Sequence, residues 1–452
     1  MHNKYSTSQF PFNPAPPLIM HIDLNSCFAR IEQQANPHLR GKPIAVAAYT
    51  TPSGCILAAS VEAKKLGIKT GMRVKDGKLL CKDLIVLPPD PWKYRNVHLA
   101  LRQLLSEYTP DITPKSIDEF VLGLKGCPSL SAGDMKHIAR EIKERIKEEI
   151  GDWLMVSVGI APNRFLAKLA SNLHKPDGLD EINKDNFLNC FLKLRLVDLP
   201  YIKARNEIRL NGTGIYSVID FYNAPLWKLK AAFHSIGSYY WYLRLHGYEI
   251  DDVAFARRSY GNSYALPKPF SELSDLSPII SKLTEKMSFR LRRAGYMARG
   301  VHLAVAYRNG IFWHKGLTFD GELFESSDIY KKVIKIFAMS PHKFPVRDIF
   351  VSVYSLKKIT SLQLDFFTDV LRKKKLSEAM DGVNERWGDF IVGPARMLFN
   401  EKGAVPDRIA FGQPADALPE TAVSLQAGGV KELEEFTINN TNLPMSTNLD
   451  IR

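Results

Sequence analysis

Ile19-Met20-His21-Ile22-Asp23 and Ser116-Ile117-Asp118-Glu119-Phe120 decide how this chain is read. The first is a short apolar strand that ends on an acid. The second sets two adjacent acids among apolar neighbours in a hairpin candidate, Ile117 then Phe120–Leu124, closed by Gly126-Cys127-Pro128. A carboxylate in such surroundings is costly unless a cation compensates it. Read as three carboxylates with no His or Cys partner, Asp23, Asp118 and Glu119 suit a hard, oxygen-preferring ion, Mg²⁺ or Mn²⁺, rather than zinc. Two such ions about 4 Å apart activate a hydroxyl and stabilise a leaving oxygen in phosphoryl transfer. Neighbouring strand residues point to opposite faces, so Asp118 and Glu119 share one site only if a hairpin or bulge re-aims one of them. The plainer alternative is a strand-end turn at Asp23 and a surface hairpin at Asp118-Glu119.

Around these stretches strands alternate with helices, which indicates an α/β or α+β core over 18–182. Residues 1–17 read as a loose leader. Phe28 to Gln34 make a helical turn or two, Ile44–Ala48 and Gly54–Ala59 are strands, and Val61–Leu66 starts a helix that Gly67 stops. Ile138, Ile142, Ile146 and Ile150 recur every four residues in an amphipathic helix ending at Gly151. Leu154–Ile160 is a strand, and Pro162 is expected in the first turn of a helix over Asn163–Leu173. Residues 183–250 are helical and aromatic, 251–258 a charged joint, and 259–357 mixes strand runs with helices. Past Leu356 come a basic helix around Arg372–Lys375 and an acidic tail.

With 452 residues, the chain is too long for one core and divides into several modules. Its 45% hydrophobic and 24% charged residues fit soluble globular domains rather than disordered or fibrous chains. The net charge of +13 is uneven: 255–360 carries eighteen basic and eight acidic residues, whereas 401–452 carries four and eight. Local excess of that sign fits a polyanionic partner. No stretch approaches the roughly 18 apolar residues of a spanning helix, and the proline-rich start lacks a signal-peptide h-region. Five dispersed cysteines without a CxxC pair argue against a zinc or disulfide framework and for a reducing, cytoplasmic setting, with no membrane partner.

Five ordered blocks carry a family resemblance. They are His21-Ile22-Asp23-Leu24-Asn25-Ser26-Cys27-Phe28-Ala29; Asn36-Pro37 through Gly41-Lys42-Pro43-Ile44-Ala45-Val46; Ser60-Val61-Glu62-Ala63-Lys64 with Leu66-Gly67-Ile68; Ser116-Ile117-Asp118-Glu119; and Val158-Gly159-Ile160-Ala161 with Asn163, Ala167-Lys168 and Lys175-Pro176-Asp177-Gly178. In this order the chain resembles the Y-family (translesion) DNA polymerases, of the bacterial polymerase IV and polymerase V kind, over 18–360. The resemblance implies an α+β multidomain right-hand polymerase. Its palm would span 18–26 and 91–182, small fingers 27–90, a helical thumb 183–250, a linker 251–258, an α/β little finger 259–357 and a tail 358–452.

The resemblance also implies roles. Asp23, Asp118 and Glu119, with the Leu24 carbonyl, would hold two Mg²⁺, for which Mn²⁺ can substitute. Cys27, Phe28, Lys64 and Lys175 would bind the incoming dNTP, with Phe28 as the steric gate against ribonucleotides and the lysines on the triphosphate. The finger residues Leu57, Ala58 and Ala59 would leave room over a damaged template base. Lys203, Arg257, Arg258 and Ser259 would grip primer-template DNA; Arg290, Arg292, Arg293 and Arg299 either join that surface or form a solvated helix face. Gln363-Leu364-Asp365-Phe366-Phe367 resembles the peptide that docks bacterial polymerases on the sliding clamp through Gln363, Leu364, Phe366 and Phe367; the alternative is a helix start with Phe366 and Phe367 core-facing. Accessory mutagenesis subunits are possible further partners.

Two departures stand out. Val61-Glu62-Ala63-Lys64 replaces the usual Tyr-Glu-Ala-Arg, closer to the polymerase V branch, so a hydroxyl and a guanidinium are missing. Pro200-Tyr201-Ile202-Lys203 replaces a Gly-x-Gly hairpin that approaches a phosphate; Lys203 would supply charge instead, while Gly212-Thr213-Gly214-Ile215 keeps the second half of the unit. Two other readings fit less well. A non-catalytic DNA-binding scaffold of a mutagenesis complex would be expected to have lost the carboxylates, which this chain keeps. A nucleotidyl cyclase would have no use for thumb, little finger or clamp peptide.

Overall fold

The computed structural model describes residues 10–131, 133–253, 257–359, 370–388 and 390–397. They form two compact units, divided between Val253 and Arg257. Among the described residues no helix is long and apolar enough to cross a membrane.

The first unit is built on a five-stranded sheet in the order Ile112–Pro114, Glu119–Gly123, Ile19–Leu24, Val156–Ala161, Leu179–Glu181. The central Ile19–Leu24 strand runs antiparallel to both neighbours. Within this sheet, Val156–Ala161 and Leu179–Glu181 form the parallel pair, joined through the helix Arg164–Ala170, the usual crossover for parallel strands. Alternation splits the sheet. Met20, Ile22, Leu24, Phe120, Leu122, Val158 and Ile160 fill one core with residues of the helices Pro91–Ser106 and Met135–Arg145. His21 and Asp23 are therefore left on the opposite face. There Gly159 admits the helix Arg164–Ala170 at close range, because a Cβ at 159 would lie 2.1 Å from the Ala167 carbonyl oxygen.

The helix after the central strand covers Cys27–Ala35, longer than the one or two turns expected, because it packs on both the sheet and Tyr94. The amphipathic helix runs over Met135–Arg145 and ends in a π turn, Ile146–Ile150. Pro162 lies outside the next helix rather than in its first turn. Asn163 is the cap, its Oδ1 accepting from the Leu166 amide at 2.8 Å, and the helix is Arg164–Ala170. A small three-stranded sheet, Ile56–Ala59, Ile44–Ala47, Ile85–Leu87, closes over its own core of Ala45, Ile56, Ile68 and Leu84. Short helices from Phe187–Leu192 to Gly237–Leu245 pack around Phe191, Phe221 and Trp241.

The second unit is a four-stranded antiparallel sheet, Phe312–Leu323, Tyr296–Tyr307, Val346–Lys358, Ser259–Phe270, with the helices Leu273–Arg293 and Ser326–Phe337 sharing its core. The helix Val370–Trp387 is tied to it where Asp381 takes Arg292 at 2.7 Å and Lys373 pairs with Asp328. Arg292 thus has an internal partner, so neither reading offered for it, a DNA contact or a solvated face, describes it.

Tyr94 joins the fold to the first unit's cleft: its ring stacks on Phe28 at 4.4 Å and its hydroxyl donates to Glu32 at 2.8 Å. Tyr94→Ala should lower unfolding stability by about 3–5 kcal/mol and Tyr94→Phe by about 1–2 kcal/mol, measured by denaturant unfolding. Equal losses in the two variants would refute the ring as the main contributor.

Candidate active site

Register brings the acids together. Asp23 lies directly opposite Glu119 across the Ile19–Leu24 and Glu119–Gly123 pair. The alternation problem at Asp118-Glu119 resolves in the backbone: the strand begins only at Glu119, and Asp118 belongs to the bend before it. The Leu24 amide donates to the Asp118 carbonyl at 2.9 Å, and the Ser116 hydroxyl donates to Asp118 Oδ1 at 2.5 Å, so the side chain is aimed independently of the pleat. Asp23 and Asp118 line a cleft of about 490 Å³ together with Leu24, Cys27, Phe28, Lys64 and Lys175. Glu119 is not among the residues lining it.

Ammonium groups compensate the acids. Lys175 Nζ lies 2.8 Å from Asp23 Oδ2, and Lys168 Nζ donates to Glu119 Oε2 at 2.5 Å. His21 is also in the cluster: one ligand-type atom each of His21, Asp23 and Glu119 lies within 4.8 Å of the others. The expectation of three carboxylates without a histidine is therefore corrected, since residues two apart on a strand share a face. Burial drives the imidazole down to about 3 against the pull of Glu119, leaving it neutral, and its ring nitrogens have no hydrogen-bond partner among the described residues.

The acids titrate differently. Burial raises Asp118 to about 6, with repulsion from Asp23 and Glu119 adding to it. Burial raises Asp23 too, and Lys175 only partly offsets that. Burial also acts to raise Glu119, but the Lys168 ammonium hydrogen-bonded to it outweighs that and the carboxyl is held low. Burial and the two aspartates keep the Cys27 thiol protonated. Crowded, oxygen-rich and half-enclosed, this donor set fits a divalent cation of the hard class.

Asn25, which the sequence reading quoted but gave no role, anchors the loop that carries Lys175. Its Oδ1 accepts from the Asp177 amide at 2.7 Å and the Ser157 hydroxyl at 3.1 Å, and Ser157 Oγ accepts from the Gly178 amide at 3.2 Å. Lys143 Nζ donates to the Asp177 carbonyl at 2.5 Å. Lys168 was also passed over; its signal was only its place one turn along a helix that a glycine lets approach the sheet.

Phe28 lines the cleft, is 2% exposed and stacks on Tyr94, so it combines core packing with a place at the cleft wall. Lys64 sits in the last turn of the helix Val61–Lys65, capped by Ser60. Lys203 is the N-cap residue of the helix Ala204–Asn211 and does not line the cleft. Two residues earlier Tyr201 holds the left-handed region at φ 67°, costing about 1–2 kcal/mol for a side chain other than glycine. In the second unit, the Arg257 guanidinium lies 4.1 Å over the Tyr260 ring, Arg258 precedes the first strand, and Ser259 opens it opposite Tyr354. Gln363, Leu364, Phe366 and Phe367 lie outside the described residues.

In sequence the chain is a DNA-directed DNA polymerase, a nucleotidyl-transferring enzyme, and its fold agrees. The profile of the impB/mucB/samB family matches residues 22–172, and that family's C-terminal domain matches 257–366. The chain is 32% identical over 377 residues to DNA polymerase IV of Pelotomaculum thermopropionicum, covering 82% of this chain and 93% of the relative. It is 30% identical over 398 residues to DNA polymerase IV 1 of Bacillus subtilis, covering 85% and 94%. Among solved structures, a Y-family DNA polymerase chimera superposes with a TM-score of 0.66 at 24% identity, over 76% of this chain and 99% of that one. The insertion ternary complex of Dbh DNA polymerase superposes at 0.52 and 23% identity, over 74% and 98%. The chain belongs to the impB/mucB/samB family, the Y family of translesion DNA polymerases.

Because Asp118 takes up its proton more readily folded than unfolded, folding stability falls as pH rises from about 4 to about 6 on its account. Its ionisation costs up to about 3 kcal/mol at neutral pH. Asp118→Asn should therefore unfold at a higher temperature than wild type at pH 7.5, and the gain should vanish by about pH 4. A pH-independent difference in thermal melts would rule out the raised proton affinity of Asp118.

Proposed function

We propose that the chain extends primed DNA templates past damaged bases by two-metal nucleotidyl transfer, with Asp23, Asp118 and Glu119 as the metal-holding acids. One observation carries this: three acids converge at the end of a central strand, two of them on the floor of a cleft whose walls supply Lys64 and Lys175. With the Leu24 carbonyl they would hold two Mg²⁺ or Mn²⁺. When bound, the ions supply activation of the primer 3′-hydroxyl and neutralise charge on the departing pyrophosphate.

The protein's own groups do the rest. Lys175, released from Asp23, and Lys64 take the triphosphate oxygens of the dNTP as point charges. Phe28, braced by Tyr94, presses its ring where a 2′-hydroxyl would stand, and Cys27 packs beside it. Asn25 and Ser157 keep the Lys175 loop from drifting. We assign palm to 18–26 and 91–182, fingers to 27–90, thumb to 183–250, linker to 251–258 and little finger to 259–357. Lys203, Arg257, Arg258 and Ser259 then contact the DNA backbone, consistent with the basic excess over 255–360. We further assign Gln363, Leu364, Phe366 and Phe367 to sliding-clamp recruitment, place the protein with the DNA in the cytoplasm, and leave accessory mutagenesis subunits as partners to be sought by co-purification.

Extension of a primed template, undamaged and with an abasic site, tests this reading. Asp118→Ala and Glu119→Ala should each cut Mg²⁺-dependent extension by at least about 10²–10³-fold with DNA affinity retained. Normal extension by either variant would sink the metal assignment. Phe28→Ala should relax sugar discrimination by about 10- to 100-fold in kcat/KM for dNTP against rNTP, and an unchanged ratio would exclude the gate.

A further inference from the structure

The Pro200-Tyr201-Ile202-Lys203 turn does more than fill a position where glycine was expected. Tyr201 keeps the left-handed backbone at φ 67° despite its side chain, and strain of that kind clusters at functional sites. Tyr201 is 47% exposed, and its ring stands 5.8 Å from Lys168 Nζ, which also donates to Glu119. So Glu119, Lys168 and Tyr201 form a file that leads away from Asp23 and Asp118, and none of the three lines the cleft. On the polymerase reading the nucleotide takes the cleft that Asp23 and Asp118 line. A second substrate reacting at the same acids has to arrive from a side that the first leaves open, and the file flanks such a side.

We propose that Tyr201 is a positioning residue for the terminal nucleotide of the primer strand. This rests on the polymerase reading above. The ring seats the Lys168 ammonium by a cation–π contact. When Glu119 turns to its cations, the ammonium stays on the primer side and meets the last phosphodiester. The exposed edge of the ring borders the terminal sugar. Ring and ammonium together take over the grip that bare glycine amides would provide in such a hairpin.

Tyr201→Asn tests the role, because asparagine tolerates left-handed φ and lacks the ring, and Tyr201→Phe keeps the ring. In steady-state extension, Tyr201→Asn should raise KM for primer-template by about tenfold, the scale of one lost aromatic contact, and leave KM for dNTP within about twofold. The slope of log affinity for primer-template against log salt should shrink by about one, the mark of one phosphate contact. Tyr201→Phe should behave as wild type, and the melting temperature of Tyr201→Asn should not fall. Unchanged KM values for Tyr201→Asn, an equal rise for both substrates, or a Tyr201→Phe defect matching that of Tyr201→Asn would each overturn the inference alone. A wild-type chain that extends no primer would overturn the polymerase reading and this inference with it.

Discussion

Asp23 and Glu119 face each other across two antiparallel strands, and Asp118 leans in from the bend that starts the second of them. Three negative groups so close in partly closed surroundings repel, and much else in the first unit answers that repulsion. Lys175 reaches in from one loop and Lys168 from the helix on the same face. Asp118 is left with its proton affinity raised, so the unprotonated cluster is strained until more positive charge arrives.

Holding the compensation in place is a matter of packing. Gly159 removes the side chain that would keep the Lys168 helix off the sheet. Asn25 and Ser157 fix the loop of Lys175 through three hydrogen bonds, and Tyr94 braces Phe28 at the cleft wall. The supporting residues are neutral and mostly buried. They set distances, whereas the charged residues set affinity.

Lys168 and Lys175 are not equivalent. Lys175 stands in the cleft with Lys64, and Lys168 stands outside it, between Glu119 and the ring of Tyr201. The acids thus separate two approaches, one lined by Lys64 and Lys175 and the other by an aromatic ring. Two substrates that must react end to end need two approaches of this sort.

The residues alone made the acids candidates, apolar runs ending in Asp23 and enclosing Asp118-Glu119, and the family resemblance singled them out over plain turn acids. Alternation also contained the place of His21, two residues from Asp23, although the reading missed it. What local sequence could not decide was how Asp118 and Glu119 both serve one site, because that depends on where a strand starts, and hydrogen bonding to Leu24 and Lys115 sets the start. Helix ends shifted for a similar reason: Asn163 caps the helix, so Pro162, expected in its first turn, lies outside it. The roles of Lys168, Asn25 and Tyr201 were beyond reach of the sequence. Each acts on a partner far away in the chain, and only the folded backbone, through Gly159 and the left-handed turn at Tyr201, brings those partners within a few ångströms.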